Sequence, residues 1–350
     1  MRAVIYDKFK KKVELSEVSL SNTKNSEDVF FYPAYVAICG SDLHMYMGSD
    51  IYGWVKEFLI LGHEIAGYVE NESDLYIVNP YIPCNQCSAC KNGEPNYCIG
   101  PDGKIGKDQP PYSLQYGFRR DGGMVEKMIV RRENLIKVPP GLSPDISAPA
   151  EAIAVGYRAV KQGLGLVNYS SNSVAVVIGP GPIGLGVCFV LSSKKINTYL
   201  LGLPEDKQRL SRAVDMGIIY ATDNIDEIKK EVSKASNNEG ATIVFETSGS
   251  EAGWQIALSL VKRRGVIVGV GIPSKPCNID LKQVVRGGVV ISGSYGVTKE
   301  DLLDALLLIK NNEEKAKMFI DKKFRLNEAI EAFEYAKKSS GKVLISIGGD

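Results

Sequence analysis

Two rhythms of apolar and polar residues divide the chain. Up to about residue 150, short alternating runs such as "FFYPAYVAI", "EIAGYVE", "DLYIVNP" and "MVEKMIV" are separated by Gly, Pro and Asn. A period of two reads as half-buried strands, and these breakers read as turns. The first part therefore predicts an irregular, largely antiparallel β domain. After "PAEAIAVGYRAVKQG", which reads as a helix, the rhythm changes. "SVAVVIG" is a continuous apolar strand, "GLGVCFVLSSKK" a helix, "NTYLL" a strand and "EDKQRLSRAVDMG" an amphipathic helix ending at Gly217. "ATIVFETSG", a helix "EAGWQIALSLVKRRG" and "VIVGVG" follow. Strands alternating with helices predict βαβ units around a parallel sheet. Later, "TKEDLLDALLLIKNN" opens a helix on a Thr cap with acidic residues in its first turn. "LNEAIEAFEYAKKSSG" leads to a last strand, "KVLISI".

The chain has 350 residues, enough for roughly two domains. A net charge of +1 gives no electrostatic footprint for nucleic acid or anionic lipid. The start, "MRAVIYDKFKKKVEL", reads as a strand followed by lysines and has no apolar signal region. No uncharged run approaches the roughly 18 residues that cross a bilayer. A cytoplasmic protein with reduced cysteines is expected, and seven cysteines are an odd number in any case. There are only two histidines, His44 and His63.

Four of the cysteines, Cys84, Cys87, Cys90 and Cys98, stand in one polar loop as C-x2-C-x2-C-x7-C. Four thiolates suit tetrahedral zinc bonded at about 2.3 Å. An iron–sulfur cluster also takes four, but bacterial ferredoxin spacing differs in its last interval. Zinc is favoured, and a closed four-thiolate site holds a loop and performs no chemistry. A second candidate set lies in "ICGSDLHMY" and "LGHEIAG": Cys39, His44, His63 and Glu64. One thiolate, one imidazole and one carboxylate suit a zinc that keeps a coordination place open. Glu151, in the apolar stretch "APAEAIAVG", is costly there unless paired or bound to metal.

"VVIGPGPIG" places Gly179, Gly181 and Gly184 in G-x-G-x-x-G between a strand and a helix, with Pro182 and Ile183 in the same turn. In that context the glycines cradle a pyrophosphate at a helix N-terminus. The residue that would grip the adenosine ribose is less plain, because Gly202 stands where an acid is often found. Glu205 or Asp206 could meet a ribose 2′-hydroxyl, Lys207 or Arg209 a 2′-phosphate; equally, all four could be solvated helix-start charges. Both NAD and NADP stay open.

These residues together resemble the zinc-containing medium-chain dehydrogenases. "CGSDLH", "GHEIAG", the cysteine loop, "RRDGGMVE", "EAIAVGYRAV", "GPGPIG" and the late "GSYG" carry the resemblance over nearly the whole chain. It is closest to the polyol branch: sorbitol, butanediol and other sugar-alcohol dehydrogenases. The resemblance implies an α/β protein with a GroES-like, mostly-β catalytic domain (residues 1–152 and 291–350) and a Rossmann doubly wound parallel sheet domain (residues 153–290). It implies two zinc ions per chain. Cys39, His63 and Glu64 would hold the catalytic one, with Glu151 as ligand or as partner of the zinc-bound water. Ser41 and His44 match the proton-relay positions, Ser41 taking the hydroxyl proton and passing it through the cofactor ribose to His44. Asp42 matches a residue that orients a ligand histidine. The resemblance also implies a homodimer or homotetramer acting on a small-molecule alcohol.

The chain departs from that branch in three places. Ala152, where proline is usual, follows Glu151; the segment "YVENESDLYIVNP" is short; and Arg158 stands where polyol enzymes often carry histidine. Tyr46, Tyr52 and Trp54 fit either a pocket lining or a core. Threonine dehydrogenases share "C-G-x-D-L-H" and "GHE", so an amino-alcohol substrate is the rival reading, with Arg119 or Arg158 as carboxylate partners. A nucleotide-binding zinc protein without activity is a third.

Overall fold

A computed structural model describes residues 1–20, 25–106, 109–170 and 173–348. They form two compact units: Met1–Glu151 with Val297–Asn311 and the chain from Ile320 onward, and Ala152–Gly296 with Asn312–Phe319. In chain order the elements are β1 (Arg2–Asp7), β2 (Lys12–Glu17), β3 (Asp28–Ala37), α1 (Gly40–Tyr46), β4 (Phe58–Ile60), β5 (Glu64–Val69), β6 (Leu75–Val78) and β7 (Tyr81–Ile82). Then come α2 (Ser88–Lys91), β8 (Leu114–Gln115), β9 (Met128–Arg131), β10 (Leu135–Lys137), α3 (Pro144–Ser147) and α4 (Ala150–Gly165). The second unit contributes β11 (Val174–Ile178), α5 (Pro182–Ser193), β12 (Asn197–Leu201), α6 (Lys207–Asp215), β13 (Tyr220–Thr222) and α7 (Ile225–Ala235). It continues through β14 (Ala241–Glu246), α8 (Glu251–Leu260), β15 (Val261–Gly269), α9 (Leu281–Gly287) and β16 (Val290–Gly293). The chain closes with α10 (Lys299–Asn311), α11 (Glu313–Lys317), β17 (Ile320–Arg325), α12 (Ala329–Ala336) and β18 (Lys342–Ser346).

In the first unit β3 is the organising strand. The main sheet runs β10-β6-β5-β3-β18-β17, with β9 also on β3. β3 pairs with β9 over Asp28–Phe31 and with β18 over Tyr35–Ala37. Pro33, which has no N–H to give, falls where one neighbour ends and the other begins, beside a register shift against β5. The N-terminal lysines do not simply trail a strand. They form the turn of the hairpin β1–β2, where the Asp7 carboxylate accepts from the Phe9 and Lys10 amides at 3.0 and 3.1 Å and Lys11 is left-handed (φ 49°). The core under these sheets includes Phe31, Val36, Leu59, Leu61, Ile65, Phe333 and Ile345.

The second unit is a six-stranded parallel sheet in the order β13-β12-β11-β14-β15-β16. β11, "VAVVI", is buried at every position, as a strand covered on both faces must be. Two sequence expectations shift here. "VKRR" does not extend α8; it opens β15, and Arg264 turns left-handed (φ 58°) as the register jumps from Ala241–Val261 to Ile243–Val266. The expected boundary at 291 would cut β16, whose Val290–Gly293 pairs with Val266–Gly269, so this unit continues to Gly296. Asn312–Phe319 joins it too: Lys315 donates to the Ser192 hydroxyl at 2.8 Å and Arg212 to the Met318 carbonyl.

Asn134, buried beside β10, fixes the chain entering the cysteine loop. Its amide donates to the carbonyls of Asn79 (2.8 Å) and Tyr81 (2.7 Å), on either side of the start of β7. Asn134→Ala leaves both carbonyls without that donor and is expected to cost about 2 kcal/mol. A lower urea midpoint for the first unit's transition checks it.

Candidate functional site

The site in the first unit is built at the ends of three adjacent strands. Ala37 at the end of β3 faces Glu64 at the start of β5 on one side and Leu344 of β18 on the other. Two residues further along, Cys39 turns into α1; His63 immediately precedes Glu64; Lys342 opens β18. The donor atoms of Cys39, His63 and Glu64 lie within 4.8 Å of one another. A tetrahedral zinc ion bonded at about 2.0–2.3 Å sets its donors about 3.3–3.8 Å apart, so the three donors need to draw in by no more than about 1.5 Å.

Cys39 is half-buried and the rest of the site is under cover. Glu64 is 0% exposed and Lys342 1%. The Lys342 ammonium pairs with one Glu64 oxygen and donates to the Ile38 carbonyl at 3.3 Å. The other Glu64 oxygen and His63 Nδ1 have no hydrogen-bond partner. Asp42, also buried, accepts from the Cys39 amide at 2.9 Å and the Gly62 amide at 3.4 Å. It stands 3.9 Å from His63 Nδ1, so it clamps the two donor-bearing turns through backbone and does not hydrogen-bond the imidazole. Burial pushes Glu151 up to about 7 despite the nearby His63 and Lys342. Burial would pull His63 down, but Cys39, Asp42 and Glu151 outweigh it and push the imidazole up to about 10. Burial would also pull Lys342 down, yet Glu64, Cys39 and Glu151 raise it. Against one ammonium, the site holds a thiol and the carboxyls of Asp42, Glu64 and Glu151. Those donors and orphaned atoms fit a divalent cation.

Ser41 and His44, three residues apart on α1, share a helical face. Ser41 Oγ is buried without a partner, whereas His44 is exposed. The expected aromatics divide. Tyr46 turns away, stacking on Phe333 (5.0 Å) and donating to Glu334 at 2.6 Å. Tyr52 and Trp54 pack on Phe118, at 6.1 and 5.5 Å, and Phe118 lies 4.8 Å from the His63 ring. Sequence reasoning missed Phe118 and Lys342. Phe118 borders "RRDGGMVE", and Lys342 is a lone charge at the start of an apolar strand; neither is a signal without the fold.

The cysteine loop forms a separate cluster. All four sulfurs fall within 4.8 Å of one another. Sγ separations of 3.5 Å (Cys87–Cys90), 3.9 Å (Cys84–Cys90) and 4.0 Å (Cys87–Cys98) bracket the roughly 3.8 Å edge of a zinc–thiolate tetrahedron. They are far from disulfide contact, and all seven cysteines are unpaired. The amides of Gln86 and Cys87 point at Cys84 Sγ, both at 3.4 Å, as they would toward thiolate. Burial opposes ionisation, but the Cys90 and Ile99 amides help bring Cys87 down to about 6; Cys90, half-buried beside the other sulfurs, is pushed up to about 12 by desolvation and by its bonds to them.

In the second unit the glycine turn has the cradle form. Gly179 is left-handed (φ 96°), and a Cβ on Gly184 would sit 1.9 Å from the Gly179 carbonyl. A Cβ on Gly181 would meet nothing within 4 Å, leaving room for a phosphate. Pro182 and Ile183 open α5. The structure gives Asp206 and Arg209 to one another at 3.0 Å, and Asp206 also accepts from the Leu203 amide at 3.0 Å. Glu205 is exposed, and Lys207 lines a shallow depression between α6 and β13.

Residues 25–140 match the alcohol dehydrogenase GroES-like domain and residues 182–311 the zinc-binding dehydrogenase domain. Donors at strand ends in one unit and a dinucleotide turn in the other are what a dehydrogenase of that class requires. A sorbitol dehydrogenase of Bacillus subtilis is 30% identical over 270 residues, 73% of this chain and 72% of that protein. One from Halalkalibacterium halodurans is 27% identical over 325 residues, 89% of each. The crystal structure of 2R,3R-butanediol dehydrogenase from Bacillus subtilis superposes with a TM-score of 0.83 at 25% identity, covering 99% of each chain. The chain belongs to the zinc-containing medium-chain dehydrogenases, in their polyol dehydrogenase-like branch.

In metal-free protein, the raised His63 contributes stability that is complete below the ordinary 6.5 and lost as pH rises through about 10. Glu151 acts in the same direction: its contribution is complete below 4.5 and lost through about 7. Calorimetry is therefore expected to show the metal-free melting temperature falling from about pH 6 to about pH 10. Zinc-loaded protein, whose donors carry no protons, should give a flatter profile.

Proposed function

We propose that the protein is a zinc-dependent dehydrogenase oxidising a secondary alcohol of a polyol or sugar, with hydride transfer to NAD or NADP. The observation that carries this is the donor set of Cys39, His63 and Glu64, with donor atoms within 4.8 Å of one another, in a chain that also has the dinucleotide turn. Those three residues hold the catalytic zinc, with Glu151 as a further ligand or as partner of the bound water. Cys84, Cys87, Cys90 and Cys98 hold a second, structural zinc. When bound, the zinc supplies a Lewis acid for the alcohol oxygen and the nicotinamide accepts hydride.

The chain's own residues do the rest. Ser41 Oγ accepts the hydroxyl proton as its own proton passes on toward the exposed His44 on the same helical face, from which it leaves to solvent. Lys342 holds one oxygen of Glu64, and Asp42 fixes the Cys39 and Gly62 backbone. Phe118, Trp54 and Tyr52 form an apolar wall beside His63. Gly179, Gly181, Pro182, Ile183 and Gly184 receive the pyrophosphate. An amino-acid substrate is less well served: Arg119 turns its guanidinium to the carbonyls of Pro111, Tyr112 and Ser113.

The related sorbitol and butanediol dehydrogenases support the polyol assignment. A homodimer or homotetramer is supported by the open edge of β16, where Val290 and Ile291 are exposed; a second copy is the occupant we favour. Among the described residues no helix is long and apolar enough to cross a membrane, and we take the cytoplasm as its location.

The test is reduction of NAD and of NADP, followed by absorbance, with sorbitol, xylitol, 2,3-butanediol and threonine. Turnover is expected with a polyol or diol, and Cys39→Ala should lower it by a factor on the order of a thousand. Unchanged turnover in that variant defeats the proposal.

A further inference from the structure

We propose that Thr247 is a positioning residue for the dinucleotide turn: its hydroxyl holds the Gly179 carbonyl inward and so keeps the backbone at Gly181 turned toward the cofactor pyrophosphate. The inference rests on the dinucleotide reading above.

The argument starts from strand pairing. β14 lies parallel to β11, with Ile178 opposite Glu246, so the residues that leave the two strands emerge side by side. Thr247 is the first residue past β14 and Gly179 the first past β11. The Thr247 amide donates to the Ile178 carbonyl at 3.0 Å. The Thr247 hydroxyl lies 2.9 Å from that same carbonyl and 2.8 Å from the carbonyl of Gly179. A hydroxyl has one proton to give. Ile178 already has the amide, so Gly179 is the carbonyl that depends on the side chain.

That carbonyl is also where helix α5 rests. A Cβ at Gly184 would come within 1.9 Å of the Gly179 oxygen and 2.7 Å of the Thr247 hydroxyl. Hydroxyl, carbonyl and first helical turn are therefore in mutual contact, and rotating the carbonyl displaces the helix start. The support behind Thr247 is firm. Glu246 is fully buried, and its carboxylate accepts from the amides of Ser248 (2.9 Å) and Gly249 (3.1 Å) and from the Ser248 hydroxyl. On the opposite side Gly181 faces open space. A turn that binds through backbone amides depends on their direction, and here that direction is set by a side chain from another strand.

The test uses the full-length, zinc-loaded protein and titrates NADH and ADP-ribose by calorimetry. Thr247→Val keeps the shape and removes the donor; Thr247→Ser keeps the donor. Thr247→Val is expected to bind both ligands about tenfold more weakly, the loss of one hydrogen bond to a buried carbonyl. Thr247→Ser should stay within about twofold of wild type, and in both variants kcat at saturating cofactor and the alcohol KM should hold. Wild-type affinity in Thr247→Val, or equal weakening in Thr247→Ser, overturns the proposal. Should Thr247→Val fail to fold, Thr247→Ala against Thr247→Ser makes the same comparison. A wild-type protein that binds neither ligand would instead overturn the dinucleotide reading itself.

Discussion

The structure of the first unit turns on a buried charge imbalance. Cys39, Glu64, Glu151 and Asp42 converge with His63 at the ends of β3, β5 and β18, and Lys342 is the one ammonium among them. Burying like-charged groups is costly unless something compensates. Protons do so in the metal-free chain, which is why His63 and Glu151 are both raised. A divalent cation does so with the donors left ionised. Lys342 comes from the last strand, so the site draws on both the first and the last segments of the discontinuous first unit.

The two clusters of metal-ligand residues differ in the way their chemistry demands. The four cysteines sit on a polar loop braced by short helical turns, and backbone amides favour the thiolates of Cys84 and Cys87. Such a set is closed. The set around His63 mixes a soft donor, an imidazole and a carboxylate at strand ends, with Phe118 beside the imidazole, the donor set in which an open coordination place is useful.

Much of this was legible in the sequence because it is local. The cysteine spacing, the glycine turn and the adjacency of His63 and Glu64 occupy a few residues each, and a strand such as "VAVVI" announces itself by continuous apolar residues. What the sequence hides is long-range. Lys342 lies 278 positions from Glu64, and nothing in "GKVLISI" signals that its lysine points inward. Thr247 and Gly179 are 68 positions apart and meet only through sheet order. "VKRR" has good helix formers, yet parallel pairing with β14 claims it for a strand. Asp206 and Arg209, read as possible cofactor contacts, pair with one another three residues apart.

The central claim is that the excess buried negative charge exists to hold a metal ion. Anomalous diffraction at the zinc edge, from crystals of protein purified without chelator, tests it most directly. The account predicts two peaks per chain, one enclosed by Cys84, Cys87, Cys90 and Cys98 and one between Cys39 and His63 beside Glu64. A peak at the four cysteines alone, with the second position empty after zinc soaking, would contradict it.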